Sequence, residues 1–345
     1  MNHPFGPLFT IHNSLFTIDM HLFHQGSLAD KSFLVTGGAG FIGSHIVAYL
    51  LHHGAAKVRV LDNLSTGLQS NVDLFKDHPA YEFMLGDIRS AEDCEKALQG
   101  IHHVSHQAAL GSVPRSVKDP VTSNDVNVSG TLMVFEKARQ AGVKSLVYAS
   151  SSSVYGDEPN LPKREEKVGN PLSPYAVTKK TNELYADVFH KLHGMNVLGF
   201  RYFNVFGPRQ DPNGPYAAVI PLFVAGILAK TPVYINGDGN QNRDFTYVDN
   251  AVQANIRGML TENAEAYGKV YNVAVGENYT VNFLFEAIRD LLGEDHAPTY
   301  REPRAGDIRA SLADISLAQT LLNYQPTDRF LDGLKKTVDF FKEKF

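Results

Sequence analysis

From residue 31 to about residue 203, short runs of consecutive apolar and β-branched residues alternate with longer stretches whose apolar positions recur every three to four residues. The short runs, at 31–36, 57–61, 81–85, 102–106, 145–149 and 196–202, predict six strands. Between them, Ile42, Ile46, Val47, Leu50 and Leu51 mark a helix stopped by Gly54, and 91–99 marks a second. A long helix begins near Asp119 and Pro120 and carries Asn127, Leu132, Val134, Phe135 and Ala138 up to Gly142; another runs over 175–193. Strand–helix alternation of this kind predicts an α/β fold with a doubly wound parallel sheet. After residue 203 the pattern changes. Residues 205–217 are rich in Gly, Pro, Asn and Asp, as expected of a loop in or over a cleft. Periodic segments at 219–229, 232–235, 249–261, 270–273, 281–292 and 328–343 then predict a smaller α/β lobe. The expected organisation is an N-terminal extension over 1–30, a first domain over 31–203 and a C-terminal lobe over 204–345, with some segments interleaved.

Composition narrows the field of partners. The 345-residue chain is 43% hydrophobic and 20% charged, ordinary for a globular protein with a large core. A net charge of -5 without a basic block argues against nucleic acid or an anionic membrane as the main partner. Cys94 is the only cysteine, so no intrachain disulfide forms and a reducing, cytoplasmic setting is expected. No apolar run reaches the roughly 20 residues of a membrane span. Residues 1–30 lack Lys and Arg and scatter Phe5, Phe9, Phe16 and Phe23 among four histidines. They read as an extension with a short helix packed on the body, not as a signal peptide. His3, His12, His21 and His24 lack metal-site spacing, and no metal is expected.

The candidate chemistry begins where the first strand opens into Gly37-Gly38-Ala39-Gly40-Phe41-Ile42-Gly43 and a helix. Strand, glycine turn and helix form the context of a dinucleotide site: glycines admit a pyrophosphate and the helix N-terminus offers free N–H groups. Asp62 ends the second strand, nineteen positions after Gly43, where an acid bonds the adenosine ribose 2′-hydroxyl. Its charge would repel a 2′-phosphate, which favours NAD over NADP. Asn63, Ser65, Thr66 and Gly67 follow in a polar loop. Asp87 and Ile88 could edge and stack an adenine ring, or simply turn the chain at a strand end. The small residues after Gln107, Ala108 and Ala109 among them, leave room for a flat ring. Asn127 could hold a buried backbone group or a catalytic water, and both stay open. His102, His103 and His106 read as strand residues.

Ser173-Pro174-Tyr175-Ala176-Val177-Thr178-Lys179 supplies the reactive pair. Ser173 fits an N-cap and Pro174 the first helical position, so Tyr175 and Lys179 share one helix face. A phenol titrates near ~10 when free, and a neighbouring ammonium favours its ionised, basic form. Four serines, Ser150 to Ser153, end a strand 22 to 25 residues earlier and could provide a partner hydroxyl or only a polar turn.

Taken together, Gly37/Gly40/Gly43, Asp62, the serines and Tyr175/Lys179 resemble the extended short-chain dehydrogenase/reductases, with a Rossmann-like domain and bound NAD. Arg201-Tyr202-Phe203-Asn204, Asn236-Gly237-Asp238-Gly239, Arg243-Asp244-Phe245 and Arg304-Ala305-Gly306-Asp307 narrow the resemblance to nucleotide-sugar epimerases. The stretches 108–115 and 207–214 are similar to the UDP-N-acetylhexosamine 4-epimerase subgroup. That resemblance implies a reaction in which Tyr175, as phenolate, takes the sugar 4-OH proton while the C4 hydride passes to NAD, giving a 4-keto sugar that turns over and is reduced on its other face. It further implies that Lys179 binds the nicotinamide ribose and depresses the Tyr175 pKa. Ser151 aligns with the catalytic hydroxyl and Ser152 is its neighbour, while Phe41, Ile42 and Tyr202 join the cofactor contacts. UDP-sugar recognition is expected from Asn204, Val219, Tyr234, Asn236, Arg243, Arg304 and Asp307, with Gly111, Ser112 and Gln210 on the sugar. Ser311 stands where hexose-restricted epimerases carry a bulky Tyr, leaving space for an N-acetyl group. The expected substrates are UDP-GlcNAc and UDP-GalNAc, with their uronic acids as further candidates. A broad UDP-glucose/UDP-galactose 4-epimerase is the alternative. A 4,6-dehydratase or decarboxylase would need a carboxyl group among Ser151-Ser152-Ser153, a simple reductase would consume NADH, and a dinucleotide sensor would have no use for Tyr175, Lys179 and Ser151. A homodimer through helices 119–140 and 175–193 is implied by the resemblance alone.

Overall fold

A computed structural model describes residues 20–211, 218–303 and 310–344. Seven strands, β1 (Ser32–Thr36), β2 (Lys57–Asp62), β3 (Tyr81–Leu85), β4 (His103–His106), β5 (Ser145–Ser151), β6 (Val197–Tyr202) and β7 (Lys269–Val273), form one sheet. Its order is β7-β6-β5-β4-β1-β2-β3 and every pair is parallel. The main helices are α1 (Phe41–His52), α2 (Ala91–Leu98), α3 (Thr131–Ala141), α4 (Pro174–His193), α5 (Val219–Leu228), α6 (Val248–Leu260), α7 (Val281–Leu292) and α8 (Phe330–Lys342). A parallel sheet covered on both faces needs strands that are apolar throughout. The fully buried β1 and β6 come close to that requirement, with Ser32, Thr36 and the ion-paired Arg201 as the polar exceptions.

The seventh strand corrects the expected division of the chain. The sequence pattern places residues 249–261 and 270–273 in the C-terminal lobe, yet α6 packs on α1 and β7 pairs with β6. The reason is burial on both sides: Tyr271 and Val273 join the cluster that contains Phe200, and Ala251, Val252 and Ile256 join Ile46 and Leu50. The lobe itself closes around a second cluster in which Phe206, Phe223, Phe245, Phe285 and Phe330 draw α5, α7 and α8 together.

The long helix expected from Asp119 to Gly142 also differs. It starts as Pro120–Asn124, widens into a π-helical turn over Asp125–Gly130 and continues as α3. At the widening, Thr131 Oγ1 donates to the Asn127 carbonyl at 2.7 Å. Periodicity cannot register one extra residue in a turn. In the N-terminal extension, residues 20–30 form bends and a turn, and the rest of the segment for which a short helix is expected lies outside the described residues. Phe23 stacks on Tyr49 of α1 at 5.3 Å and its N–H donates to the Tyr49 hydroxyl. Among the described residues no helix is long and apolar enough to cross a membrane.

Candidate active site

The strand order reverses between β1 and β4, and a cavity of about 990 Å³ lies at the carboxyl ends there, where open α/β sheets place their ligands. At one end the glycine turn packs backbone on backbone. Gly37 has φ +70°, and a Cβ on it would fall 2.6 Å from the Ala108 nitrogen; one on Gly43 would fall 2.2 Å from the Gly37 carbonyl. Those two glycines close the turn. Gly40 faces the cavity and precedes α1 without a side-chain cap, which leaves the helix N-terminus open to an anion. Phe41, Ile42 and Gly43 line the same end.

Asp62 ends β2 at the cavity wall. Its Oδ2 accepts the Ala39 N–H at 3.0 Å and its Oδ1 the Leu64 N–H at 2.8 Å, while burial raises its pKa. Asn63, Ser65, Thr66, Asp87 and Ile88 line the cavity beside it. Asn63 Nδ2 donates to Asp87, whose carboxyl the Arg89 guanidinium holds well below the usual range. Gly67 packs against the Asp62 carboxylate, outside the lining. An anion-accepting helix start, a hydroxyl-accepting carboxylate and the Ala108–Ala109 wall together fit a dinucleotide.

Asn127 takes the first of its two open readings. It is fully buried, outside the cavity lining, and its Oδ1 accepts the Leu110 N–H at 2.7 Å. Its Nδ2 donates to the Leu110 carbonyl and to Thr178. Asn127 thus ties the 107–112 loop to the start of α4. His106 is likewise a buried strut, bonded to Thr36 and Thr131.

Tyr175, Lys179 and Ser151 meet on the cavity wall. Ser173 caps α4 by accepting the Ala176 N–H, with Pro174 at the first position, as the sequence requires. Lys179 Nζ donates to the Ala149 carbonyl at 2.8 Å and stands 5.8 Å from the Tyr175 ring centre. Burial pulls this ammonium down to about 8. Burial also raises the Tyr175 phenol, and the opposing influence is its hydrogen bond with Ser151. The Lys179 ammonium is thus anchored on a carbonyl of β5, close to the Tyr175 ring. Ser152 follows in a short 3₁₀ turn, outside the cavity lining.

A second cavity of about 300 Å³ adjoins the first and shares Asn204, Val205, Gln210 and Ala218 with it. Val219, Tyr234, Asn236 and Arg243 line it. Asn236 accepts from Arg301 Nε at 2.7 Å, and the Arg301 guanidinium lies over the Tyr234 ring. Gly111 and Ser112 line the first cavity near Tyr175. Ser112 adopts φ +149° and its Oγ caps the following turn. The Ser311 N–H donates to the Asn242 carbonyl, beside Arg243. Arg304 and Asp307 lie outside the described residues.

Three buried groups escape a reading of the sequence for site chemistry. Arg201 pairs with Glu183 of α4 through two 2.8 Å bonds, and Ser150 donates to the same carboxylate. Asn255 of α6 accepts from Ser105 and Gln107 and donates to the Tyr202 hydroxyl, which in turn donates to Gln107. This ring of bonds fixes Gln107 and Tyr202 in the cavity wall, while burial, against the pull of those bonds, pushes the Tyr202 phenol above its ordinary pKa. Asp244 is the third, lying beneath the second cavity. For Arg201 and Asp244 the signal is the motif around them; Asn255 carries none.

These features belong together in a dinucleotide-dependent α/β enzyme. Residues 33–274 match the NAD dependent epimerase/dehydratase family, and the chain belongs to it. Its cofactor is NAD. A UDP-glucose 4-epimerase of Mycolicibacterium smegmatis is 38% identical over 318 residues, spanning 90% of this chain and 98% of the relative. Among solved structures, the UDP-N-acetylglucosamine 4-epimerase of Methanobrevibacter ruminantium M1, in complex with UDP-N-acetylmuramic acid, superposes with a TM-score of 0.86. It is 43% identical and the match covers 92% of this chain and 99% of that one. The UDP-glucose 4-epimerase of Thermus thermophilus, in complex with NAD, gives a TM-score of 0.80 at 37% identity over 91% of this chain and 100% of that one.

Proposed function

We propose that the protein is a UDP-sugar 4-epimerase that interconverts UDP-GlcNAc and UDP-GalNAc. The observation that carries the reading is a half-buried phenol beside a serine and a lysine on one wall, where a dinucleotide-sized cavity meets a second cavity lined by Arg243 and Asn236. NAD, when bound by these residues, would supply reversible hydride-acceptor chemistry at the sugar C4. Tyr175 takes the 4-OH proton as the C4–H bond breaks, and returns it to the carbonyl oxygen when the 4-keto sugar is reduced. Ser151, on the same wall, would share that proton with the phenol. Lys179, held by Ala149, would bind the nicotinamide ribose and places positive charge near the Tyr175 ring. Gly37, Gly40, Gly43 and Asp62 hold the dinucleotide, and Arg243, Arg304 and Asp307 the UDP. Guanidinium forks suit diphosphate oxygens.

The hexosamine preference is supported by Ser311, by the small wall at Gly111 and Ser112, and by the N-acetylglucosamine epimerase of M. ruminantium among its relatives. A broad UDP-glucose/UDP-galactose 4-epimerase is the second reading, favoured by the M. smegmatis and T. thermophilus relatives. To separate them, purified protein is incubated without added NAD with UDP-GlcNAc, UDP-GlcNAcA or UDP-Glc, and the 4-epimers are resolved. UDP-GalNAc should form with the higher kcat/KM; equal values for UDP-Glc remove the preference, and no epimer from any of them sinks the reading. Tyr175→Phe should cost at least ~10²-fold in turnover.

The same reading extends to assembly as a homodimer. Val177, Leu184, Val188 and Leu192 are exposed on one face of α4, continuous with exposed Val117 and Val121 on the neighbouring short helices. A self-complementary stripe of this kind fits a second copy of the chain.

A further inference from the structure

Around the second cavity, three stretches far apart in sequence come together: Asn242–Arg243 and its continuation, the turn after β7 at 274–276, and residues 311–313. One side chain joins them. Asp244 is 0% exposed, and among the described residues its carboxylate is bonded by backbone N–H groups alone. Oδ1 accepts from Val275 at 3.1 Å, and Oδ2 accepts from Gly276 at 3.1 Å and Ala313 at 3.2 Å. The Asp244 carbonyl accepts from Asn204 Nδ2 at 3.0 Å, and the adjacent Asn242 carbonyl accepts from the Ser311 N–H.

We propose that Asp244 is a positioning residue for the UDP-sugar: its carboxylate clasps three backbone N–H groups and thereby sets Arg243, Asn204 and Ser311 relative to one another without touching the substrate. Only a group with two accepting oxygens and no N–H can serve three donors here. An amide of the same shape would turn an NH₂ toward at least one of them. Burial pushes the Asp244 carboxyl up to about 7, so the fold carries this group at a cost to its own stability. A purely structural plug would be better served by a neutral side chain. The inference rests on reading the second cavity as the UDP end of the site.

The test uses the full-length protein and the substitution Asp244→Asn. NAD content after purification should stay as in the parent, because the clasp lies away from the dinucleotide end, while the melting temperature falls by a few degrees for the backbone N–H left unpaired. The KM for UDP-GlcNAc and the calorimetric Kd for UDP alone should each rise about tenfold, the scale of one lost hydrogen bond to a charged group, while kcat stays within about twofold. Unchanged KM and Kd in folded Asp244→Asn overturn the proposal, as does a fall in kcat alone. Loss of NAD in step with UDP affinity would also overturn it, since that is general loosening. If Asp244→Asn does not fold, Ala313→Pro removes one donor and leaves the carboxylate. A raised KM with NAD retained then supports the clasp, and an unchanged KM overturns it. UDP binding is read without turnover, so failure of the epimerase reading stays distinguishable from failure of the clasp.

Discussion

Lys179 shows what the site asks of a single residue. Its ammonium is buried at 3% exposure, bonded to one carbonyl, and pulled down to about 8. In the unfolded chain the same group titrates near ~10.4, so between those values the unfolded state binds more protons and stability rises with pH. Below about 8 the folded state bears the full cost of the buried charge, roughly 3 kcal/mol at about 1.4 kcal/mol per pH unit. Lys179→Met removes that cost and leaves the Ala149 carbonyl without its donor, about 1 kcal/mol in the other direction. The variant should therefore melt higher than the parent at pH 7 while losing epimerisation, and its advantage should shrink as pH rises from 8 to 10. Thermal melts at several pH values check this; a lower melting point at pH 7 refutes it. Residues such as Tyr175, Lys179 and Asp62 were legible in the sequence because their chemistry is local, set by a cap, a helical spacing or a strand end. Asn255 was not, because its partners Ser105 and Tyr202 lie 150 and 53 positions away.

Helix α4 is tied to β6 by a buried ion pair. Glu183 bonds Arg201 of β6 twice and also accepts from Ser150, next to Ser151. The arginine lies over the Tyr155 ring at 4.8 Å and donates to the Glu165 carbonyl. Removing one partner strands the other charge in the core, so Arg201→Met should destabilise by about 3–5 kcal/mol in denaturant unfolding. Arg201→Met combined with Glu183→Leu should recover part of that loss; no recovery would mean that packing, not the stranded charge, carries the cost. The elements themselves were largely legible, since period and capping signals mark all seven sheet strands and α4. The π turn at Asp125–Gly130 was not. It depends on Asn127 and Thr131 engaging partners that lie in other segments, Leu110 and His106.

For the whole molecule, the exposed stripe on α4 predicts that assembly depends on a few side chains. Leu184→Asp with Leu192→Asp, at positions 58% and 73% exposed in the single chain, should leave the fold intact and halve the mass seen by light scattering. An unchanged mass places the contact elsewhere. The pairing of β7 with β6 was the part of the architecture that the sequence hid: a short run such as Lys269–Val273 announces a strand, but its partner is chosen by contacts some seventy residues away. A polypeptide ended after Tyr202 would therefore keep its glycine turn, Asp62 and Tyr175 yet present β6 with a raw border of unpaired amides and carbonyls. Such a fragment would seek other strands and precipitate, so the nucleotide half of this enzyme cannot be harvested by cutting the chain once.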